Sequence, residues 1–366
     1  MTRTAAPAPT PDERASGTGA ARIVALDAAR AAAIVGMIAV NVGPRDSEGP
    51  LSLFYLLPAG RASLLFMLLA GIGMSILSRA ARLPGGKTPW PAIVWRAVLL
   101  IAGGLALQLL EHDVSVILPT YGFLFLVSLP LLRRSNRTLT VAAALLAATG
   151  PLVWILAQTT TGETFEFIPP TLLDGPADIL HGIVFSGSYP AVVWAAPFVL
   201  GLLIGRADLR DRRLQKRFVI VGAVAAVGGY LLSRLLVALV GEPAEEVGLD
   251  RLVSAVDHSQ MPLWLISGTG SAVLVLGVFL LNERLVARRL GFLAATGRLS
   301  LTIYVGHLVL LAALVRPEPY TMPQGIAITT AITVLAVVFA SLWTRRFATR
   351  PLELLFRWPR RRRSGR

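Results

Sequence analysis

Apolar residues occur along the chain in ten blocks, each bounded by polar or Pro/Gly-rich breaks. A block of about 20 residues forms a helix of ~30 Å at 1.5 Å per residue, which matches the hydrocarbon core of a bilayer. The blocks fall at residues 23–42, 60–78, 91–110, 114–132, 138–158, 188–205, 218–240, 260–282, 299–314 and 323–344. The pattern predicts an all-α fold, a polytopic membrane helical bundle with about 10 transmembrane helices.

The composition excludes an ordinary soluble globule. Hydrophobic residues make up 54% of the chain and charged residues 15%, whereas soluble domains have ~45–50% and ~25%. We expect a disordered cytoplasmic tail over residues 1–21, a transmembrane domain over 22–346 and a basic cytoplasmic tail over 347–366. The first apolar block carries Asp27 and Arg30 and lacks a small-residue cleavage site, which argues against a signal peptide.

Basic residues are distributed asymmetrically between the breaks. The two chain ends and every second break hold 28 of the 35 Lys and Arg residues, whereas the other breaks hold only Arg45, Arg251 and Arg316. The positive-inside rule then places both termini in the cytoplasm. The net charge of +14 reflects this topology, and we expect the run Arg360–Arg363 to face anionic membrane lipid, with no nucleic acid as a partner.

Several kinds of chemistry are excluded by the residues present. The chain has no cysteine, so it offers no thiolate nucleophile, disulfide framework or Fe–S cluster. It also lacks a Walker A motif, a GxSxG nucleophile elbow, HExxH and the Rossmann glycine fingerprint. The separations of His112, His181 and His258 match no zinc-ligand pattern, and no metal is expected.

Three histidines fall in the predicted outward segments, and two of them adjoin acids. His112 lies between Glu111 and Asp113, in a short turn between two spans. A carboxylate neighbour orients an imidazole and raises its basicity, as a general base requires, although a solvated polar turn explains the same residues. His258 follows Asp257 in a longer acidic loop, for which solvation is the favoured explanation.

Polar residues also occur inside the apolar blocks. Ser300, Tyr304 and His307 are spaced i, i+4 and i+7, so they share one face of the ninth helix. Lipid does not tolerate such a face, which therefore lines a cavity or forms hydrogen bonds with neighbouring helices. Asp27 and Arg30, spaced i and i+3 on the first helix, predict an intramembrane ion pair.

Five segments together carry a family resemblance. In chain order they are RIVALDAARAAAIVGMIAVNVGP, GRASLLFMLLAGIGMS, QLLEHDVSVILPTYGFLF, SGSYPAVVWAAPFVLGLLIGRADL and GRLSLTIYVGHLVLL. They resemble the YeiB-like bacterial branch of the heparan-α-glucosaminide N-acetyltransferase family over nearly all of residues 22–345. The resemblance implies a membrane acyltransferase that takes acetyl-CoA from the cytoplasm and acylates an amine or hydroxyl of a glycan or glycolipid on the far side.

This task assigns roles at both faces of the membrane. CoA is polyanionic and does not cross lipid, so arginines on the inner side would hold its phosphates. The candidates for that role are Arg82, Arg96, Arg206 and Arg298. At the outer end a base must take the acceptor's proton, and hydrogen-bond donors must stabilise the oxyanion.

The base is assigned first to His112, assisted by Glu111 or Asp113, and second to His307. The candidates for donating to the oxyanion or binding a substrate are Asn41, Arg61, Tyr121, Tyr304 and His258. One departure from the family pattern affects this assignment. Eukaryotic members use a His in the outward segment after the matching helix, whereas here Asn41 ends that helix and residues 43–59 contain no His.

A second function class is a transporter or flippase of a small polar or lipid-linked substrate, because substrate pathways also need intramembrane charge. The sequence shows no clear inverted repeat, which favours the acyltransferase. The remaining class is a non-catalytic membrane protein. High Ala and Arg content with only Lys87 and Lys216 indicates a GC-rich bacterial genome, so we expect a multi-pass protein of the bacterial cytoplasmic membrane. A homodimer is left open.

Overall fold

The computed structural model describes residues 22–44, 50–162, 165, 169–244, 246–316, 321–347 and 349–356. These residues are mostly helical and contain no strand, so the predicted all-α fold class is confirmed. The predicted tail over 1–21 lies outside the described residues. The tail predicted over 347–366 is described as far as Phe356, and this part contacts the helical bundle.

The helices are numbered in chain order. They are α1 (Val24–Val42), α2 (Leu53–Leu56), α3 (Arg61–Leu77), α4 (Trp90–Leu107), α5 (Leu118–Val127), α6 (Asn136–Thr161), α7 (Pro176–Val184), α8 (Ala191–Ile204), α9 (Arg212–Val240), α10 (Pro262–Leu281), α11 (Glu283–Arg289), α12 (Gly291–Arg298), α13 (Ser300–Leu310) and α14 (Met322–Arg346). A π-helical turn, Leu311–Val315, continues α13.

Each predicted span contains one of these helices, but their lengths differ. In the described part of the chain, seven helical segments are long and apolar enough to cross a membrane. The helices α5 and α8 have only 10 and 14 residues. The pair formed by α12 and α13 passes the same test only as a unit, and it is bent by 77° at Leu299. The count of ten spans and the cytoplasmic termini stay predictions.

Local sequence sets several helix ends. The Ser135 hydroxyl accepts the Thr138 N–H at 3.1 Å, and the Asp211 carboxylate accepts the Arg213 N–H at 2.9 Å, so these side chains cap α6 and α9. Gly162 ends α6 in the left-handed conformation, at φ 70°. Such caps satisfy N–H and C=O groups that a helix end leaves without partners.

Close helix contacts at glycine build the centre of the bundle. A Cβ atom on Gly71 of α3 would lie 2.1 Å from the carbonyl oxygen of Phe198 in α8. A Cβ atom on Gly297 of α12 would lie 1.7 Å from the carbonyl oxygen of Asp27 in α1. Small residues allow backbones to approach in this way. The second contact brings α12 and the start of α13 against the charged end of α1.

Candidate active site

Six arginines line a cavity of about 650 Å³, which we call the arginine cavity. It lies where α1 begins, where α3 ends and where the chain turns after α8. Its charged lining residues are Arg22, Arg30, Arg79, Arg82, Arg206 and Arg210, with Asp27 and Asp208. Burial and then the charge of Arg79 lower the pKa of Arg82, and burial and then Arg82 lower the pKa of Arg206. A polyanion would relieve this crowding of like charges.

Asp27 holds two of these arginines in place. Its carboxylate accepts hydrogen bonds from Arg22 Nε at 2.5 Å and Arg22 Nη2 at 2.8 Å, and from Arg30 Nη1 at 2.9 Å. The structure therefore contains the predicted pair of Asp27 with Arg30 and adds Arg22. The hydrogen bond with Asp27 is the largest effect on the pKa of Arg22, which is raised. Both guanidinium groups stay available at the cavity wall with fixed orientation.

A second cavity, of about 370 Å³, adjoins the first and is called the aromatic cavity. The two share Arg22, Arg30 and Gly73 in their walls, so they adjoin at these residues. The charged residues that line the aromatic cavity are Arg22, Arg30, Arg96, Arg298, Arg350 and Glu353. Both cavities therefore present guanidinium groups at their common wall.

Aromatic rings form the deep wall of this cavity. The ring of Phe66 stacks on Tyr121 at 5.5 Å and on Tyr304 at 6.5 Å between ring centroids. The hydroxyl of Tyr304 accepts the Ile117 N–H at 3.2 Å. Among the described residues, the buried hydroxyl of Tyr121 and the Nε of Arg298 have no hydrogen-bond partner. Buried polar groups without protein partners favour a ligand or water in the cavity.

A buried pair of polar side chains lies beyond the rings. Asn41, at the end of α1, and His307 of α13 are 7% and 2% exposed. The Nδ2 of Asn41 lies 3.0 Å from the Nε2 of His307, and the Nδ1 of His307 lies 3.3 Å from the carbonyl oxygen of Ile303. Since an amide nitrogen only donates, Nε2 is the acceptor and Nδ1 carries the proton. The ring of Tyr304 is 5.2 Å from the ring of His307.

The third cavity, of about 890 Å³, begins on the other side of Asn41 and is called the acidic cavity. Its polar lining includes Asn41, Glu111, Asp113, Asp257 and His258, and no Lys or Arg is among its described lining residues. Asn41 lies in the last turn of α1, whereas Arg22 precedes the helix and Arg30 lies in its second turn, about 17 Å from Asn41 at 1.5 Å per residue. The acidic cavity and the arginine cavity therefore lie at opposite ends of one helix.

His258 is held rigidly in the wall of the acidic cavity. Its Nδ1 lies 3.1 Å from the carbonyl oxygen of Ser188. Its ring packs against Tyr189, Trp194 and Trp264 at centroid distances of 5.5, 5.8 and 5.8 Å. Its backbone has φ 55°, which is uncommon for a residue other than glycine. Backbone strain of this kind is concentrated at functional sites.

His112 has a different environment from the one that its acidic neighbours suggest. Its side chain is fully buried and does not belong to the lining of the acidic cavity. Its Nδ1 accepts the Val114 N–H at 3.2 Å, and its Nε2 lies 3.0 Å from the carbonyl oxygen of Leu107. Each ring nitrogen is thus bonded to the main chain, which favours a structural role. The assignment of His112 as base stays a prediction.

The predicted site residues separate into groups by location. The aromatic cavity contains Arg96, Arg298, Tyr121 and Tyr304; the arginine cavity contains Arg82 and Arg206; the acidic cavity contains Asn41, Glu111, Asp113 and His258. His307 lies between the aromatic and acidic cavities. Arg61, at the start of α3, is not part of the described lining of any of the three.

Several charged residues that line these cavities were not predicted as site residues, among them Arg22, Arg350 and Glu353. Arg22 follows from the spacing RIVALDAAR, which places two arginines around one aspartate. Arg350 and Glu353 line the aromatic cavity although they come from the predicted basic tail. No hydrophobic pattern or motif in that tail predicts a return to the bundle.

Comparison with known families agrees with this geometry. A family profile described as an acyltransferase domain matches residues 114–345, which is more than half of the chain. A search of curated proteins found no match. The matched region begins just before α5 and ends in α14, so it contains Tyr121, Arg298, Tyr304 and His307. This chain belongs to a family of membrane acyltransferases.

Proposed function

We propose that this protein transfers an acetyl group from cytoplasmic acetyl-CoA to an amine or hydroxyl of an extracytoplasmic glycan or glycolipid. The observation that carries the proposal is the order of the cavities along α1. An arginine-rich cavity adjoins an aromatic one, and the buried side chains of Tyr304, His307 and Asn41 lie between this pair and the acidic cavity. The resemblance to the YeiB-like branch supports a bacterial cytoplasmic membrane as its location.

The two joined cavities suit the two ends of acyl-CoA. Its phosphates carry several negative charges, which match the guanidinium groups of the arginine cavity. Its pantetheine arm is long, thin and largely neutral, and it would pass Arg22 and Arg30 into the aromatic cavity. There the thioester carbonyl would reach Tyr121, whose hydroxyl has no partner among the described residues.

The reaction needs a base, a hydrogen-bond donor to the oxyanion and a proton for the leaving thiolate. The acceptor first displaces the Asn41 amide from His307 Nε2. Its nitrogen or oxygen then attacks the thioester carbon and loses its proton to that ring nitrogen. The hydroxyl of Tyr121 donates to the oxyanion. The C–S bond then breaks, and the CoA thiolate takes the proton held by His307. The products are the acylated acceptor and free CoA.

His307 is preferred to His112 as the base because of its position. Nε2 of His307 faces the Asn41 amide, between the cavity proposed for the donor and the cavity proposed for the acceptor. The ring nitrogens of His112 are engaged with the Val114 N–H and the Leu107 carbonyl. An acceptor proton would reach His112 only after a main-chain bond had broken, whereas at His307 the acceptor would displace a side-chain amide.

The acidic cavity indicates the charge of the acceptor. Glu111, Asp113 and Asp257 line it, and carboxylates bind hydroxyl or ammonium groups but repel phosphate or carboxylate. The Nε of Arg316 lies 3.7 Å from the Asp113 carboxylate, which leaves an excess of carboxylate around the cavity, so the acceptor group that enters would be a neutral hydroxyl or an amine. The single Asn41 side chain would meet it at the inner end of the cavity.

The experiment that tests this function measures acetyl-CoA binding to the protein in nanodiscs by calorimetry. Arg298→Gln should weaken binding roughly tenfold or more, since it removes a charged hydrogen-bond donor. Arg217→Gln is the matched control, because Arg217 is exposed on α9 and is not among the described lining residues of the three cavities. No saturable binding by the parent protein would contradict the proposal.

Turnover tests the base in the same preparations. With radiolabelled acetyl-CoA, the label should pass to glucosamine or to the glycolipids of bacterial membranes. His307→Gln should bind acetyl-CoA normally but lose about 10²- to 10⁴-fold in transfer rate, the usual contribution of a general base. A normal transfer rate in His307→Gln together with a lost transfer rate in His112→Gln would assign the general base to His112.

A further inference from the structure

The N-terminus of α13 has no capping side chain from its own sequence. The chain bends by 77° between α12 and α13, so a helix N-terminus lies beside the aromatic cavity. The first N–H groups of any helix have no partner within it, and away from water they need another acceptor. Leu299 occupies the capping position, and its side chain cannot accept a hydrogen bond.

Glu353, in the segment that follows α14, supplies this acceptor. Its Oε1 accepts the N–H of Leu301 at 3.1 Å and of Thr302 at 3.2 Å, and its Oε2 accepts the Thr302 hydroxyl at 2.8 Å. The Leu352 N–H donates back to the Thr302 hydroxyl oxygen at 3.2 Å. A carboxylate in this position also interacts favourably with the helix dipole.

The same segment is fastened to the donor side of the site. The carbonyl oxygen of Phe356 accepts from Arg96 Nε at 3.2 Å, and that of Leu355 accepts from Trp95 Nε1 at 2.6 Å. Arg350, Glu353 and Phe356 all line the aromatic cavity. Residues 349–356 thus join α4 to the start of α13, and they lie outside the region matched by the family profile.

We infer that Glu353 is a positioning residue for the acyl transfer, acting through α13. This inference rests on the proposed function. Tyr304 and His307 lie in the first two turns of α13, directly after the two residues that Glu353 binds. Because the capping position of α13 offers no side-chain acceptor, the N–H groups of Leu301 and Thr302 depend on Glu353 for their hydrogen bonds. Glu353 therefore sets the position of His307 relative to Asn41 and of Tyr304 relative to Tyr121.

The test compares Glu353→Ala and the milder Glu353→Gln with Asp211→Ala. Asp211 is the matched control because its carboxylate also accepts a helix N-terminal N–H, that of Arg213, at 2.9 Å, and neither Asp211 nor any residue of α9 is among the described lining residues of the three cavities. Amide hydrogen exchange in nanodiscs without substrate is followed over residues 301–307. Turnover of acetyl-CoA is measured in the same preparations.

We expect Glu353→Ala to speed exchange over residues 301–307 about tenfold or more, since the first turn loses its acceptors. The kcat should fall on the order of 10- to 100-fold, because a shift of about 1 Å at reacting groups has that effect. The KM for acetyl-CoA should not rise. Glu353→Gln keeps one acceptor oxygen and should change less, and Asp211→Ala should leave exchange over 301–307 and kcat unaltered.

Two results would overturn the inference. Faster exchange with an unchanged kcat would make Glu353 a structural cap only, and a lower kcat with unchanged exchange would mean that it does not act through α13. The exchange measurement does not depend on substrate. If the parent protein neither binds nor turns over acetyl-CoA, the proposed function fails, while exchange still reports whether Glu353 holds α13.

Discussion

The histidines of this chain differ in what their ring nitrogens contact, and those contacts decide their chemistry. Both nitrogens of His112 are bonded to the main chain, and those of His307 contact one side chain and one carbonyl. A ring held wholly by main chain fixes a turn, whereas a ring that faces an amide side chain can exchange that partner for a substrate. This contrast separates a structural histidine from a candidate base.

The burial of His112 leads to a prediction about pH. Burial is the largest effect on its pKa, which is lowered from the ordinary value of 6.5. Below that value the unfolded chain binds a proton that the folded chain does not, so stability should fall as pH decreases from 7.5 to 5.5. Thermal unfolding in detergent across this range should show the loss, and the loss should be smaller in His112→Gln.

The comparison between the two proteins contains the control. Other groups titrate in the same range, so only the difference between the parent and His112→Gln is attributed to this ring. Equal pH slopes in both proteins would show that the pKa of His112 is the same in the folded and unfolded states. That result would also remove the argument that burial keeps this ring neutral.

At the scale of elements, the sequence predicts helices well where local pattern determines them. Each apolar block does contain a helix, because burying apolar side chains in lipid and satisfying backbone groups internally both require one. The bend at Leu299 is not predictable, since an apolar residue carries no break signal. The contact of Asn41 with His307 and the return of Glu353 to α13 join residues far apart in sequence, and no local pattern reports such contacts.

The packing of α12 on α1 leads to a prediction at this scale. A Cβ atom on Gly297 would lie 1.7 Å from the carbonyl oxygen of Asp27, and a backbone oxygen cannot move away by a change of rotamer. Gly297→Ala should therefore push α12 from α1 and cost about 1–3 kcal/mol or more. It should also displace Arg298 and weaken acetyl-CoA binding. Thermal unfolding and calorimetry measure the two effects.

Gly291→Ala is the matched control, because Gly291 begins the same helix and a Cβ atom there has nothing within 4 Å. We expect it to leave both stability and binding near the parent values. Equal behaviour of the two variants would contradict the packing argument and the link between α12 and the donor site. A loss of stability in Gly297→Ala with normal binding would contradict only the link between α12 and the proposed donor site.

At the scale of the whole molecule, charge is separated along the bundle. The arginine cavity lies among segments that the positive-inside rule places in the cytoplasm, and the acidic cavity lies among segments that the rule places outside. The proposed transfer would need this arrangement, since its polyanionic donor and its glycan acceptor would approach from different compartments. The same molecule would not need two opposite cavities if both substrates came from one side.

The absence of cysteine allows a direct test of this orientation. Asp257→Cys places a thiol in the acidic cavity and Asp208→Cys places one in the arginine cavity, and both positions are exposed. A membrane-impermeant maleimide should label Asp257→Cys in intact cells, and Asp208→Cys only after permeabilisation. The parent protein, which has no thiol, is the blank. Labelling of Asp208→Cys in intact cells would contradict the predicted orientation. The cavity proposed for acetyl-CoA would then face the outside of the cell, where cytoplasmic acyl-CoA is absent.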